Sequence, residues 1–186
     1  MIIGLTGKNA SGKGEAANYL KTKGFVYYSL SDVLREEATK RGIEHSRDNL
    51  IDLGNELREK FGPNYLAKQI NNKIGDSKKL STNDHFFVVD SIRSPYEAKE
   101  LMKNKDFILV GIDATIEIRF ERLLRRNRLG DAKTLEEFKK QEERENLKSD
   151  TNQQLDETFK LADIVIANDE TLEELHKKIE EMLMRS

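Results

Sequence analysis

The sequence contains no cysteine, which excludes disulfides and thiolate metal sites. It also has no excess of basic residues: 32 lysines and arginines stand against 34 aspartates and glutamates, and the net charge is −2. A chain with this balance lacks the broad positive field that is typical of nucleic-acid binding, so we expect no nucleic-acid partner. Hydrophobic residues make up 37% of the 186 positions, which is enough for one folded domain with a full core.

Long hydrophobic runs are absent as well. The first apolar stretch, residues 1–6, has the length of a single strand and leads directly into a glycine-rich loop. We therefore expect it to be neither a signal peptide nor a membrane anchor. No later run approaches the roughly 20 residues of a membrane-spanning helix. These observations predict a soluble, cytoplasmic protein without a membrane partner.

Short apolar runs alternate with helical patterns along the chain. The runs rich in β-branched and aromatic residues predict five strands, at residues 1–6, 25–28, 85–90, 107–112 and 164–166. Their nearly continuous apolar character is typical of strands that are buried on both faces of a parallel sheet. The order of elements predicts an α/β fold, with a five-stranded parallel sheet between two helical layers in an α/β/α arrangement.

The intervals between the strands carry helix signals. Capping boxes begin at Ser94, Thr134 and Thr171, and the first is followed by a proline at the first helical position. Residues 31–75 contain two or three helical stretches, and residues 127–150 are highly charged. We predict one domain with a core (residues 1–30, 76–126 and 151–186), a helical insert that binds the acceptor (residues 31–75) and a small lid (residues 127–150).

The most informative segment is residues 7–14, which read Gly-Lys-Asn-Ala-Ser-Gly-Lys-Gly directly after the first predicted strand. A glycine-rich loop between a strand and a helix is the layout of a phosphate-binding P-loop. Its backbone amides form a concave anion site, and Lys13 adds a point charge for the β- and γ-phosphates. The predicted cofactor-binding residues here are Gly7, Asn9, Ala10, Ser11, Gly12, Lys13, Gly14 and Glu15.

Charged residues follow the second and third predicted strands. Asp32 and Arg35 come just after the second strand and, if they face the same crevice as the P-loop, Arg35 could grip an acceptor phosphate. Asp90 ends the third strand, where a carboxylate can hold Mg²⁺ directly or through water; Asp32 is the second metal candidate. Arg93, just beyond, could hold another acceptor oxygen.

Four arginines lie within seven residues, at positions 122, 125, 126 and 128. A solvated helix face is the ordinary explanation of such a run. However, Leu123 and Leu124 are expected to face the core, and the run ends where the predicted lid begins. Arginines at the base of a lid would supply the cations that phosphoryl transfer needs. The histidines have no partners at suitable spacing, and residues 142–145 are expected to be lid surface.

These motifs together resemble the nucleoside monophosphate kinase superfamily. Adenylate-kinase-like members also end their P-loop with Gly-Lys-Gly, although Glu15 stands where they usually have threonine. Residues 29–35 resemble their acceptor motif, residues 90–93 resemble a shortened form of their Asp-Gly-Phe-Pro-Arg motif, and Arg122 and Arg126 match the arginine pair that begins their lid. The resemblance implies ATP as donor, Mg²⁺ held largely through water, Arg122 stacked on the donor base, and Arg126 near the phosphates.

Two further segments resemble particular branches. Residues 47–58 are similar to a helix of phage-type deoxynucleoside monophosphate kinases. Residues 162–168 are similar to a signature of dephospho-coenzyme A kinases, and this resemblance implies that Asn168 lies near the donor adenine.

The sequence therefore predicts an ATP-dependent phosphotransferase whose partner is a small nucleotide-type acceptor, with the chain as a monomer or homodimer. Its predicted catalytic residues are Lys13, Asp32, Arg35, Arg93 and Arg126. A nucleoside or deoxynucleoside monophosphate is the favoured acceptor. Dephospho-coenzyme A is the alternative within enzymes, and its hydroxyl would need a base, for which Asp32 is the candidate. A nucleotide-binding regulatory module without turnover is the alternative from another class.

Overall fold

The fold is built on a five-stranded sheet in which every strand pair is parallel. A computed structural model describes residues 1–80, 86–127, 130–145 and 154–185. The strands are β1 (Ile2–Thr6), β2 (Val26–Ser29), β3 (Phe87–Asp90), β4 (Phe107–Asp113) and β5 (Ile164–Ala167). Their spatial order is β2-β3-β1-β4-β5, which confirms the predicted parallel sheet.

Helices connect the strands and cover both faces of the sheet. They are α1 (Lys13–Thr22), α2 (Leu30–Lys40), α3 (Arg47–Phe61), α4 (Tyr65–Leu80), α5 (Pro95–Leu101), α6 (Ile116–Arg126), α7 (Leu135–Glu145), α8 (Leu155–Phe159) and α9 (Leu172–Arg185). Residues 31–75, where two or three helical stretches were expected, thus contain all or part of three helices, α2, α3 and α4. Within the described ranges, no helix has the length and apolar character needed to cross a membrane.

The two helical layers follow from the alternation of side chains along the strands. Ile2, Phe87 and Val89 point to one face and belong to a buried cluster with side chains of α2, α3, α4 and α5. Ile3 and Val88 point to the other face and belong to a second cluster with side chains of α1 and α9. This is the predicted α/β/α arrangement. The edge strands are less buried, because only one neighbour covers them; Val165 of β5 is 54% exposed.

The predicted helix starts are present, with one variation. At Thr134, the hydroxyl accepts a hydrogen bond from the backbone N–H of Glu137, and the Glu137 carboxylate accepts from the backbone N–H of Thr134. At Ser94, the hydroxyl accepts from the N–H of Tyr96. The carboxylate of Glu97, however, accepts from the N–H of Arg93. The Glu97 carboxylate therefore stabilises the backbone of the segment between β3 and α5.

Helices α6 and α7 enclose a small cluster of their own. Leu123, Ala132 and Phe138 are buried together, and Ala10 of the glycine-rich loop packs against them. This contact joins the described part of the segment after α6 to the loop. The expectation for Leu124 was wrong, because its side chain is 47% exposed: it is adjacent to Leu123 and so points away from the cluster.

Because all strands are parallel, their carboxyl ends lie at one edge of the sheet. The glycine-rich loop follows β1, and Ser29 at the end of β2 is level with Asp90 at the end of β3. On the other side of β1, Asp113 ends β4, and its carbonyl oxygen accepts a hydrogen bond from the N–H of Asn168. This edge therefore gathers residues from every strand of the sheet.

Candidate active site

The loop after β1 has a shape that requires glycine at two positions. Gly7 and Gly12 have φ angles of 142° and 107°, where residues with a side chain are strained. A Cβ at Gly7 would stand 2.2 Å from the carbonyl oxygen of Ile112, and a Cβ at Gly12 would stand 2.1 Å from Asn168 Nδ2. Helix α1 begins directly after Gly12, and no side chain caps it. The first amides of α1 are thus available for an anion.

Lys13 crosses this loop. Its Nζ donates hydrogen bonds to the carbonyl oxygens of Gly7 at 2.7 Å and Lys8 at 2.8 Å. Burial, and then the positive charge of Arg93, lower the pKa of Lys13 to about 7, while Asp90 acts in the opposite direction. A phosphate would supply the negative charge that this buried ammonium lacks. The glycine positions, the uncapped helix and Lys13 therefore fit the triphosphate of ATP.

Two arginines of α6 reach the loop at Asn9. Arg126 donates to Asn9 Oδ1 at 3.1 Å and makes two bonds of 2.8 Å to the carboxylate of Asp131. Arg119 donates to the carbonyl oxygens of Ala114 at 2.9 Å and Asn9 at 3.3 Å. Arg126 therefore ties the loop to the segment that follows α6, and Arg119 ties it to the segment that precedes α6.

Arg119 is a residue that the sequence analysis missed. It is 3% exposed and forms an ion pair with Glu142 of α7. Its contribution could have been inferred from its spacing, because residues 119, 122 and 126 lie on one face of a helix. The expectation that Glu142 is lid surface was wrong, because its carboxylate, 15% exposed, compensates the buried Arg119.

Arg122 and Asn168 contact the glycine-rich loop at Ser11. Asn168 is 5% exposed, and its Nδ2 donates to the carbonyl oxygen of Ser11 at 2.8 Å. Arg122 lies 3.5 Å from that carbonyl oxygen and from Asn168 Oδ1, and burial lowers its pKa while Asp169 raises it. Asp169 in turn accepts from the N–H of Thr115 at 2.7 Å. The segment between β5 and α9 is thereby fixed beside α6.

Asp90 lies between the loop and the segment after β3. Its Oδ1 accepts from the N–H of Ser91 at 2.6 Å, and its Oδ2 is 3.5 Å from the hydroxyl of Tyr27. Burial, and then Asp90, raise the pKa of Tyr27. Within the described ranges, no three His, Cys, Asp or Glu residues gather into a metal site. A carboxylate beside a phosphate-binding loop is an oxygen ligand of the kind that Mg²⁺ takes.

The charged residues predicted to lie around the acceptor do not all line the cleft. Arg35 and Arg93 both line the cleft. Arg35 donates to Asp32 Oδ1 at 2.8 Å, and the two side chains are 49% and 48% exposed. In the part of the chain that the structure describes, Asp32 is outside the lining of the cleft. The structure thus brings Arg35 to the cleft and places its carboxylate partner at the rim.

A buried ion pair was also missed by the sequence analysis. Arg58 of α3 is 6% exposed and Glu97 of α5 is 1% exposed. Arg58 Nε and Nη2 both donate to Glu97 Oε1, at 3.2 and 2.9 Å. No sequence pattern could pair residues 39 positions apart on different helices. Only Arg58 of the pair lines the cleft.

One cleft of 1220 Å³ connects these groups. The predicted residues that line it are Asn9, Ala10, Gly12, Lys13, Gly14, Glu15, Arg35, Asp90, Arg93, Arg122, Arg126 and Asn168. Gly7 and Ser11 are buried behind them. His45, to which the sequence analysis assigned no role, also lines the cleft. Arg128 lies outside the described residues.

The family of the chain follows from comparison with known proteins. A family model described as "AAA domain" matches residues 6–139, which include the loop, Asp90 and all of α6. A UPF0200 protein of Pyrococcus abyssi is 35% identical over 100% of this chain and 96% of its own length. The chain belongs to the UPF0200 family. It also matches 55% of a longer Archaeoglobus fulgidus chain named as a UPF0200/UPF0201 protein, at 34% identity.

Solved structures share the fold of this UPF0200 chain at low sequence identity. A shikimate kinase from Bacteroides thetaiotaomicron matches with a TM-score of 0.57 and 15% identity, over 99% of this chain and 98% of that one. A gluconokinase from Sinorhizobium meliloti matches with a TM-score of 0.53 and 16% identity, over 98% and 91%. The P-loop kinase fold expected from the sequence is therefore confirmed.

Proposed function

We propose that this protein transfers the γ-phosphate of ATP to a small nucleotide-type acceptor, and that the acceptor is a nucleoside or deoxynucleoside monophosphate. The observation that carries this proposal is the continuity of the cleft. Lys13 and Asp90 line it, together with Arg122 and Asn168 from one side and Arg35 and Arg93 from the other. Such a cleft can hold a donor and an anionic acceptor at the same time.

The donor would bind at the glycine-rich loop. The amides at the start of α1 and Lys13 would hold the β- and γ-phosphates, with the base against Arg122 and Asn168. Mg²⁺, when bound, neutralises charge that develops on the phosphates, and Asp90 would hold it through water. Lys13 now donates to two loop carbonyls, which are weaker acceptors than phosphate oxygens.

The acceptor phosphate would bind Arg35 and Arg93. Arg126 would complete the site by moving from the carboxylate of Asp131 toward the transferred group. In this mechanism the protein positions the two substrates and stabilises charge, so no covalent intermediate is needed. A monophosphate acceptor is already a nucleophile and requires no protein base.

The placement of Asp32 supports a phosphate acceptor over the hydroxyl of dephospho-coenzyme A. Asp32 is the candidate base for a hydroxyl, and its carboxylate pairs with Arg35 at the rim of the cleft. If a hydroxyl were the acceptor, with Asp32 as its base, Asp32→Asn would abolish transfer, whereas transfer to a phosphate should only weaken. Equal, modest losses with both kinds of acceptor would remove this distinction.

An acceptor screen with Mg-ATP tests the proposal. Ribonucleoside and deoxynucleoside monophosphates and dephospho-coenzyme A are each incubated with the protein, and transfer is followed by ADP release. We expect transfer to at least one monophosphate and loss of that transfer in Lys13→Ala. Tight ATP binding without transfer to any acceptor would overturn the proposal and favour the regulatory alternative.

A further inference from the structure

Two contacts hold the peptide group between Asn9 and Ala10 of the glycine-rich loop. Arg119 Nη1 of α6 donates to the carbonyl oxygen of Asn9 at 3.3 Å. The side chain of Ala10 packs against the buried cluster that α6 and α7 enclose. Arg126 also reaches Asn9, but at the side-chain Oδ1, so it does not orient the peptide group. Arg119 and the cluster therefore set the direction of this peptide group.

The N–H of this peptide group is that of Ala10. A trans peptide is planar, so its C=O and N–H point in opposite directions. Because the Asn9 carbonyl faces Arg119, the Ala10 N–H points away from Arg119. In the part of the chain that the structure describes, this N–H donates to no protein acceptor. Asn9 and Ala10 line the cleft, whereas Arg119 is buried outside the described lining, so the N–H is available to an anion bound at the loop.

The conformation of Ala10 depends on these contacts. Its φ angle is 60°, in the left-handed region that residues other than glycine rarely adopt. The other positive φ angles within residues 7–14 belong to Gly7 and Gly12, and glycine adopts such angles readily. A strained residue keeps its conformation only where the surrounding structure imposes it. At Ala10 that structure is Arg119 together with the buried cluster.

Arg119 is a fixed donor because its other contacts are also with the protein. Its Nε donates to the carbonyl oxygen of Ala114 at 2.9 Å, and both carboxylate oxygens of Glu142 accept from its terminal nitrogens. Its guanidinium lies 5.5 Å from the centre of the Phe138 ring. Since Arg119 is buried and outside the described lining of the cleft, it can act on a ligand only through the loop.

We propose that Arg119 is a positioning residue for the donor, which holds the Asn9–Ala10 peptide group so that the Ala10 N–H faces the bound polyphosphate. The inference rests on the proposed function, because it assumes that the donor's phosphates bind at this loop. Without Arg119, the peptide group is free to rotate and to turn the Asn9 carbonyl oxygen toward the phosphates, where an acceptor would face an acceptor. Glu142 of α7 contributes indirectly, since it holds Arg119.

A double substitution separates this role from a purely structural one. Arg119→Met combined with Glu142→Met replaces a buried ion pair by apolar side chains, a change that is often nearly neutral for stability. It also removes the donor to the Asn9 carbonyl oxygen. We expect the midpoint of thermal unfolding to stay within about 4 °C of the wild type. If polyphosphate affinity is also unchanged in the folded double variant, Arg119 only joins α6 to α7, and the inference is overturned.

The affinity is measured by calorimetry with two ligands in the presence of Mg²⁺, a non-hydrolysable ATP analogue and inorganic tripolyphosphate. We expect the double variant to bind both ligands about tenfold more weakly, the value of one hydrogen bond to a charged group. Tripolyphosphate carries no base, so an effect on the loop should be equal for the two ligands. A loss confined to the ATP analogue would indicate an effect on the base through Arg122 of the same helix, and would overturn the inference.

A conservative variant keeps the test valid if the double variant does not fold. Arg119→Lys retains a positive charge beside Glu142 but lacks the planar fork that reaches three partners. We expect it to bind both ligands about threefold more weakly. If the double variant does not fold, wild-type affinity in Arg119→Lys would overturn the inference. The matched control is Glu136→Gln, also on α7, whose exposed pair with Lys140 makes no contact with the loop; both affinities should be unchanged.

Turnover is measured separately, so that the two proposals can fail independently. Weaker binding of both ligands by the double variant, without transfer by the wild type to any acceptor, would support the role of Arg119 and overturn the proposed kinase activity. Transfer by the wild type with unchanged binding in the double variant would support the kinase activity and overturn the role of Arg119. Binding of neither ligand by the wild type would overturn the role of Arg119.

Discussion

The proposed donor side and the proposed acceptor side of the cleft are built in different ways. On the donor side, backbone geometry dominates: the glycines at positions 7 and 12 and the start of α1 come from one continuous stretch of chain. On the acceptor side, side chains dominate, and Arg58, Glu97 and Arg93 come from α3, α5 and the segment after β3. The donor side thus depends on conformation, and the acceptor side on pairing between distant residues.

This difference shows where chemical selectivity can reside. A cradle of backbone amides binds any polyphosphate, because every residue supplies the same N–H group. Buried side chains instead differ from one sequence to another, so they can discriminate between acceptors. A common donor side with a variable acceptor side would let one fold act on several substrates.

The largest expected effect is that of Lys13→Ala. It removes the ammonium group that hydrogen-bonds to the carbonyl oxygens of Gly7 and Lys8, and we expect kcat to fall by about 10²- to 10³-fold. The loss should be the same for every acceptor that is used, since Lys13 serves the donor. Lys23→Ala, which removes a surface lysine just after α1, should leave turnover unchanged. A loss confined to one acceptor would contradict the separation of the two sides.

Glu142→Gln should have the next largest effect, on stability. It leaves the buried Arg119 without its carboxylate, and we expect the free energy of unfolding to fall by about 3 kcal/mol. Chemical denaturation measures this change. The control is Glu136→Gln, whose exposed pair with Lys140 should contribute less than about 0.5 kcal/mol. Equal effects of the two substitutions would show that Arg119 does not depend on Glu142.

The lowered pKa of Lys13 predicts that ATP binding takes up protons. With a pKa of about 7, Lys13 is mostly neutral at pH 8.5 in the absence of nucleotide. Phosphate oxygens favour the ammonium form and raise its pKa, so binding should take up about one proton per ATP at this pH. Calorimetry in two buffers of different ionisation enthalpy measures the uptake. The guanidinium of Lys13→Arg stays charged at pH 8.5, so this variant should show no proton uptake. Equal uptake by both proteins would contradict the assignment to Lys13.

The smallest effect is expected for Gly14→Ala. A Cβ at Gly14 meets nothing within 4 Å, and the position lies in the first turn of α1, so we expect the free energy of unfolding to rise by about 0.5 kcal/mol. Gly12→Ala is the contrast, because its φ of 107° and the contact with Asn168 should make it destabilising by about 2 kcal/mol. Thermal unfolding compares them. Similar changes at both positions would show that backbone conformation does not control the donor side.

Much of the donor side could be predicted from the sequence, because its residues are close along the chain. The loop of residues 7–14 combines strand, glycines and helix start within one short segment, and the spacing alone indicates its conformation. Asp90 was recognisable as a carboxylate at the end of an apolar strand. Arg119 was not, because burial against Phe138 and pairing with Glu142 depend on how α7 packs on α6.

The sequence by itself determined the parallel α/β sheet and the phosphate-binding loop, since both depend on local periodicity and on glycines that permit unusual backbone angles. Only the tertiary structure decided which arginines are held by which carboxylates. Asp32 with Arg35 and Arg126 with Asp131 are neighbours along the chain, whereas Glu97 of α5 holds Arg58 of α3 and Glu142 of α7 holds Arg119 of α6. The pairings between helices form only when those helices pack together, and no local pattern encodes that packing.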